Sequence, residues 1–259
     1  MTTLPDPFTH LPELRDKIND PFKSFFRDFK VKEIFERHPE LLWVLDELHT
    51  DAQRDVSRKD ILDAHGNGDL WIFAYGSLMW DPALQFAEVR RAVAPDYARR
   101  FILKDIWGGR GTREIPGLMA ALDTGQGCEG LVYRVTHDNI ETETEILWRR
   151  EMIGPGYLPR FITGLVDDRP VRALAFVADY SAEAMKPELT RAEQIAYCAT
   201  GTGVLGTSHE YLQNIVKQFA VLGVVDEHCT ALLRDVEDFM QADSTMATEL
   251  QNDRSNPVL

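Results

Sequence analysis

The sequence predicts an α+β fold: a small closed or strongly curved, mostly antiparallel β-barrel with flanking helices and an N-terminal helical arm. Three observations carry this. Residues 10–66 show helical patterning and no strand signal. From residue 69 the texture changes to short apolar segments separated by glycine and proline, with one amphipathic stretch among them. Beyond residue 187 helical patterning returns. Many short strands with few helices between them bury their apolar faces by curling or closing. The expected division is a helical extension over 1–68, a barrel domain over 69–240 and a polar C-terminal tail over 241–259.

In the arm, Pro21 and Pro39 punctuate the helical stretches, Ser57-Arg58-Lys59-Asp60 has the form of a helix start, and Gly66 that of a stop. Leu41, Leu42, Val44, Leu45 and Leu48 give it an apolar face that needs cover, from the core or from a second subunit. His38 and His49 read as surface or partly buried helix residues, not as ligands.

The first strand is Leu70-Trp71-Ile72-Phe73-Ala74-Tyr75, an apolar run that breaks at Gly76. Glycine adopts backbone angles closed to other residues, so a tight loop is expected there. The N–H groups of Gly76, Ser77 and Leu78 would then be little obstructed, and such a concavity suits a carboxylate or a developing oxyanion. An ordinary strand-to-loop turn fits the same residues. Phe86–Val93, Tyr97–Ile106, Leu118–Leu122, Gly130–Val135, Phe161–Val166 and Val171–Asp179 follow as further strands. Gly108-Gly109-Arg110-Gly111-Thr112 predicts a mobile loop, which approaches a ligand or is a plain surface turn.

One helix is expected among the strands, from about Asp138 to Glu151, with Thr136 and Asp138 as cap candidates. Ile140, Thr144, Leu147 and Glu151 fall on one face of it, the face turned to the core. Glu141 and Glu145 lie on the solvated side. A carboxylate on a buried face is costly to ionise, so its pKa rises toward the range where a general acid or base works best. Glu151 is therefore the candidate for proton transfer, although a buried salt bridge with Arg149, Arg150 or Arg160 accounts for it equally well. Met152-Ile153-Gly154-Pro155-Gly156-Tyr157 ends the helix and brings Tyr157 toward the same pocket.

Thr190-Arg191-Ala192-Glu193 and Thr207-Ser208-His209-Glu210 both match a capping box, and Asp226 can start a third helix with Leu232, Leu233 and Val236 inward. Gly201-Thr202-Gly203-Val204-Leu205-Gly206 imitates a dinucleotide fingerprint, but no strand precedes it, so it reads as a helix-to-helix linker. The polar stretch from Ala242 to Leu259 is expected to fray.

Composition narrows the partners. At 259 residues, 44% hydrophobic and 27% charged, the chain is that of an ordinary soluble globular protein. A formal charge of -14 argues against nucleic acid or an anionic membrane as partner, and any anionic substrate must be met by locally clustered arginines. No apolar run has the length of a membrane span, and Met1-Thr2-Thr3-Leu4-Pro5-Asp6 lacks the regions of a signal peptide, which predicts a cytoplasmic protein. Cys128, Cys198 and Cys229 are odd in number and scattered, which fits buried thiols in a reducing compartment. Ser77 lacks the glycines of a nucleophile elbow, and no His-x-x-x-His or Cys-x-x-Cys spacing points to zinc.

Tyr75-Gly76-Ser77-Leu78-Met79-Trp80, together with Leu147-Trp148-Arg149-Arg150-Glu151-Met152 and Gly156-Tyr157, resembles the signature of the ChaC-type gamma-glutamylcyclotransferases. The resemblance extends through Gly109-Arg110-Gly111-Thr112, Pro116-Gly117, Leu205-Gly206-Thr207 and Tyr211-Leu212, over about residues 70–240. It implies conversion of glutathione to 5-oxoproline and cysteinylglycine, with no metal or organic cofactor and no nucleophile from the protein. It further implies that Glu151 shuttles the proton, that Tyr75, Gly76, Ser77 and Leu78 bind the gamma-glutamyl part, that Tyr157 bonds the substrate or Glu151, and that Arg110 meets a substrate carboxylate. Other gamma-glutamyl peptides or amines as substrates, or a non-catalytic gamma-glutamyl-binding regulatory protein, stay open. Ser208 stands where the family usually has asparagine, the arm exceeds the minimal family domain, and any protein partner of that arm is unknown.

Overall fold

The computed structural model of the chain describes residues 6–255; the expected signal-free start and the last residues of the tail lie partly outside them. Its centre is β1 (Leu70–Ala74), whose apolar side chains are almost all buried. Such a run suits a strand covered on both faces and paired on both edges. β1 pairs antiparallel with β5 (Cys128–Val135), from Leu70 opposite Val135 to Ala74 opposite Leu131, and parallel with β7 (Arg169–Ala178) at Trp71 and Ile72. β2 (Glu88–Ala94) lies on the far edge of β5, and β6 (Tyr157–Val166) joins β2 through Val93 and Leu165 while running antiparallel to β7.

The ring β1-β5-β2-β6-β7 thus closes on itself as the expected small barrel. The hairpin of β3 (Tyr97–Asp105) and β4 (Gly117–Thr124) extends it from β7 at Leu122 and Val177. Leu70, Ile72, Phe73, Tyr133 and Phe176 are among the largest fully buried side chains, on the two faces of the sheet.

Helices cover the barrel. In α3 (Ile140–Glu151), Ile140, Thr144 and Leu147 are buried as the spacing predicts, and the Trp148 ring meets Phe176 edge-on at 5.3 Å. A 3-10 turn over His137–Asn139 leads into it, and neither Thr136 nor Asp138 caps it through its side chain. α4 (Arg191–Thr200) and α5 (Ser208–Leu222) start at the expected capping boxes of Thr190 with Glu193 and Thr207 with Glu210. Between them Gly201–Gly206 forms the linker, folded as the two-residue strands β8 (Thr202–Gly203) and β9 (Gly206–Thr207). Asp226 accepts the Cys229 N–H at the start of α6 (Glu227–Ser255), which is helical over the described part, 242–255, of the stretch expected to fray; the rest of that stretch lies outside the described residues. Among the described residues no helix is long and apolar enough to cross a membrane, and the three cysteines are buried and free.

The arm departs from expectation in two places. Before residue 31 it is turns and short 3-10 segments, Pro12–Leu14 and Pro21–Lys23, because proline starts each and neither run is long enough to propagate. α1 (Val31–Arg37) and a 3-10 helix over Pro39–Glu47 follow. α2 (Asp51–His65) begins at Thr50, not at Ser57: Thr50 and Gln53 cap each other reciprocally, while the Ser57 hydroxyl accepts the Trp148 indole N–H at 3.2 Å. Gly66, at a φ of 79°, ends it. The arm packs on the chain's own barrel, with Leu41 and Val44 buried and Leu42 and Leu45 left exposed.

Candidate active site

A cavity of about 800 Å³ opens where β1 ends, and the turn after β1, the end of α3, the β3–β4 loop, α5 and the arm line it. The turn is fixed from beneath. Buried Arg99 donates from Nε to the Tyr75 carbonyl at 2.6 Å, and the Tyr133 hydroxyl donates to the Leu78 carbonyl at 2.9 Å. In a trans peptide the N–H points opposite to the C=O, so the Gly76 N–H faces away from Arg99. The N–H groups of Met79, Trp80 and Asp81 are used within the turn, on Gly76 and Ser77 carbonyls. Those of Gly76, Ser77 and Leu78 meet no acceptor among the described residues, which leaves the concavity that the sequence suggests.

Gly76 itself corrects an expectation. Its φ is -124°, so left-handed backbone is not what selects glycine here. The constraint is space: a Cβ would stand 2.8 Å from the Tyr211 hydroxyl oxygen.

Glu151, the last residue of α3, has a side chain only 15% exposed and lines the cavity. Burial raises its pKa above the ordinary carboxylate value, and the Arg150 guanidinium opposes this without cancelling it. Glu151 is thus a cavity carboxyl with a raised pKa and is at the same time paired with Arg150, whose Nε lies 2.9 Å from Oε1. Arg150 does more than pair. It donates to the Ser77 hydroxyl at 2.8 Å and to the Asp81 carbonyl, so one buried guanidinium ties the turn to the candidate base.

Tyr75, Tyr157 and Tyr211 all line the cavity. The Tyr75 hydroxyl donates to the Phe176 carbonyl at 2.8 Å and that of Tyr157 to the Ala120 carbonyl at 2.9 Å. Burial raises all three pKa values, that of Tyr211 to about 12, so the three phenols stay protonated at neutral pH. Arg110 also reaches the cavity, its guanidinium 4.9 Å from the centre of the Tyr211 ring and Nη1 donating to the Thr207 carbonyl at 3.0 Å.

The loop that carries Arg110 is hydrogen-bonded from both sides. The Asp105 carboxylate, buried at the end of β3, accepts the Trp107 N–H at 2.9 Å and the Arg110 N–H. Val204 and Leu205 donate to the Gly108 and Gly109 carbonyls, each at 2.8 Å, so the linker clamps the loop from outside. Ser208 is fully buried: its hydroxyl accepts the Leu118 N–H at 2.9 Å and donates to the Arg110 carbonyl at 3.3 Å, joining α5 to both sides of the hairpin.

The structure thus brings Glu151, Tyr75, Gly76, Ser77, Leu78, Arg110 and Tyr157 to one cavity. Sequence reasoning gave Tyr211 no role and Arg150 only that of a salt-bridge partner. Tyr211 shares the buried face of α5 with Ser208, Leu212 and Ile215, which reads as core until the cavity beside it is seen. The arm's aromatics at the cavity had no signal at all.

A family model described as ChaC-like protein matches residues 70–239. The glutathione-specific gamma-glutamylcyclotransferase of Escherichia coli (strain K12) is 38% identical over 175 residues, 67% of this chain and 75% of that protein. The human glutathione-specific gamma-glutamylcyclotransferase 1 is 32% identical over 176 residues, 63% of this chain and 77% of that one. A crystal structure of the yeast gamma-glutamyl cyclotransferase specific to glutathione shares the fold, at a TM-score of 0.61 and 20% identity over 67% of this chain and 97% of that one. With the match running from the first residue of β1 into α6, across every strand of the barrel, the chain belongs to the ChaC-like protein family.

Proposed function

We propose that the chain converts glutathione to 5-oxoproline and L-cysteinylglycine in the cytoplasm, as a glutathione-specific gamma-glutamylcyclotransferase. One observation carries the reading: a carboxyl of raised pKa, Glu151, is held by Arg150 beside a turn with three free N–H groups, inside a cavity of substrate size. The names of the relatives point the same way.

The chemistry needs little from the protein beyond position and one proton shuttle. The turn holds the gamma-glutamyl part, with N–H groups of Gly76, Ser77 and Leu78 toward negative oxygen. Glu151 as carboxylate takes a proton from the alpha-ammonium. The freed amine attacks the gamma-carbonyl, a C–N bond closes the five-membered ring, and the old amide C–N bond breaks as Glu151 returns the proton to the departing amine; the ring nitrogen sheds its second proton as it becomes the lactam, and the released amine takes one up to leave as the ammonium. Because amine and carbonyl belong to one molecule, a ring-closing pose exploits effective molarities on the order of 10⁵ M or more. The phenols of Tyr75 and Tyr157, whose protons go to the Phe176 and Ala120 carbonyls, stay neutral and offer hydroxyl oxygens as acceptors without competing for the proton, and Arg110 meets a substrate carboxylate. Three free, buried thiols support a reducing compartment.

Purified protein offered glutathione and gamma-glutamylalanine tests the reading. Release of 5-oxoproline from glutathione in preference to the dipeptide is expected. Equal or better use of the dipeptide would reassign the substrate, and binding without turnover would make the chain a gamma-glutamyl-binding protein.

A further inference from the structure

The family match starts at residue 70, yet the part of the chain it covers does not enclose the cavity alone. Phe25, Phe26, Phe29, Val31 and Leu48 of the arm line it together with Glu151 and the turn. The arm is fastened on both sides of this opening. On the α3 side, Arg27 forks onto Glu143 at 2.6 and 2.9 Å and donates to the Ala83 carbonyl at 3.1 Å, while His49 donates from its backbone to the Ile153 carbonyl at 2.9 Å. The side chain of Glu143 is 2% exposed, so lifting the arm would strand a buried carboxylate. On the loop side, Phe35, Leu41 and Val44 pack with Trp107 and Val204.

The wall so placed is aromatic. The rings of Phe25, Phe26 and Phe29 lie 5.3 to 6.0 Å apart, and the Phe26 ring faces the Arg150 guanidinium at 4.2 Å. Sulfur is well matched to such a surface, since thiols and thioethers pack favourably on ring edges and faces. The turn, Glu151 and the tyrosines account for the gamma-glutamyl end of a substrate; nothing in them reads the side chain of the half that leaves.

We propose that Phe25, Phe26 and Phe29 form the subsite for the side chain of the departing half of the substrate, a thiol-bearing dipeptide, and that Phe26 also positions Arg150. This rests on the cyclotransferase reading of the Glu151 cavity. The arm is then a selectivity element added to the family's barrel, distinct from the machinery that closes the ring.

The test compares glutathione with gamma-glutamyl-glycyl-glycine, which keeps the peptide backbone and lacks the thiol side chain. Phe25 is 55% exposed at the cavity rim, so Phe25→Ala leaves the fold intact and reports on the subsite alone. Its expected effect is a roughly three- to tenfold fall in the ratio of kcat/KM for glutathione over the glycine peptide, carried mainly by KM. Phe26→Ala should lower that ratio too, and in addition lower kcat for both peptides and move the acidic limb of the pH profile upward through Arg150; Phe26→Tyr should restore kcat. A ratio unchanged in both alanine variants, with wild-type turnover intact, refutes the subsite. Absence of 5-oxoproline from both peptides in the wild type refutes the cyclotransferase reading and the subsite with it.

Discussion

Glu151→Gln separates proton transfer from everything else in the site. Glutamine keeps the volume and an oxygen for the Arg150 N–H that now lies 2.9 Å from Oε1, so the turn and the base position are preserved. What is lost is the proton shuttle, worth about 10² to 10⁴ in rate. Steady-state 5-oxoproline formation should therefore show kcat down by that factor and KM within about threefold, because positioning is untouched. The same carboxyl governs pH dependence. In the wild type it must be ionised to accept the ammonium proton, so kcat/KM should fall with acid through an inflection above the ordinary value of 4.5. It also marks stability. The folded state holds this proton to higher pH than the unfolded chain, so stability present below the unfolded value is lost as pH rises through the folded one. Glutamine has no such proton, so the variant should gain on the wild type in urea melts across that interval and match it below. Turnover within tenfold of wild type would refute the assignment of Glu151 as proton shuttle.

Other perturbations probe the neighbours. Arg150→Met removes the bonds to Ser77 and Glu151, so kcat should fall roughly tenfold to a hundredfold and the acidic limb of the pH–rate profile should move up, since the guanidinium holds the Glu151 carboxyl down. Tyr211→Phe takes the hydroxyl from above Gly76; kcat/KM should drop about tenfold while urea unfolding registers a loss of about 1 kcal/mol. Arg27→Met leaves Glu143 buried without its partner and should cost about 3 to 5 kcal/mol in unfolding free energy, largely recovered in the double variant Arg27→Met, Glu143→Met.

The local features of this chain were legible in its residues. The apolar run of β1, the break at Gly76, the face of α3 that ends in Glu151, and the two capping boxes are short-range patterns, and period and cap chemistry report them directly. Contacts between distant segments were not. Glu143 sits two residues from Glu141 and Glu145 and looks like either, yet it is buried because Arg27, 116 residues earlier, lies against it. The Gly108–Thr112 loop reads as mobile because glycine is plentiful, whereas Asp105 and the Gly201–Gly206 linker pin it with hydrogen bonds that no composition foretells. The apolar face of the arm was visible as a face needing cover; that part of its cover is a cavity, with Phe25, Phe26 and Phe29 at the wall, is a property of the assembled fold.

Ring closure by the substrate's own amine is the claim on which the site's chemistry turns, and turnover of glutathione in heavy-oxygen water tests it most directly. Intramolecular attack predicts 5-oxoproline as the acidic product, with no label taken up and no free glutamate formed. Labelled glutamate would mean that water, not the amine, attacks the gamma-carbonyl, and Glu151 would then serve to activate that water instead of relaying the amine's proton.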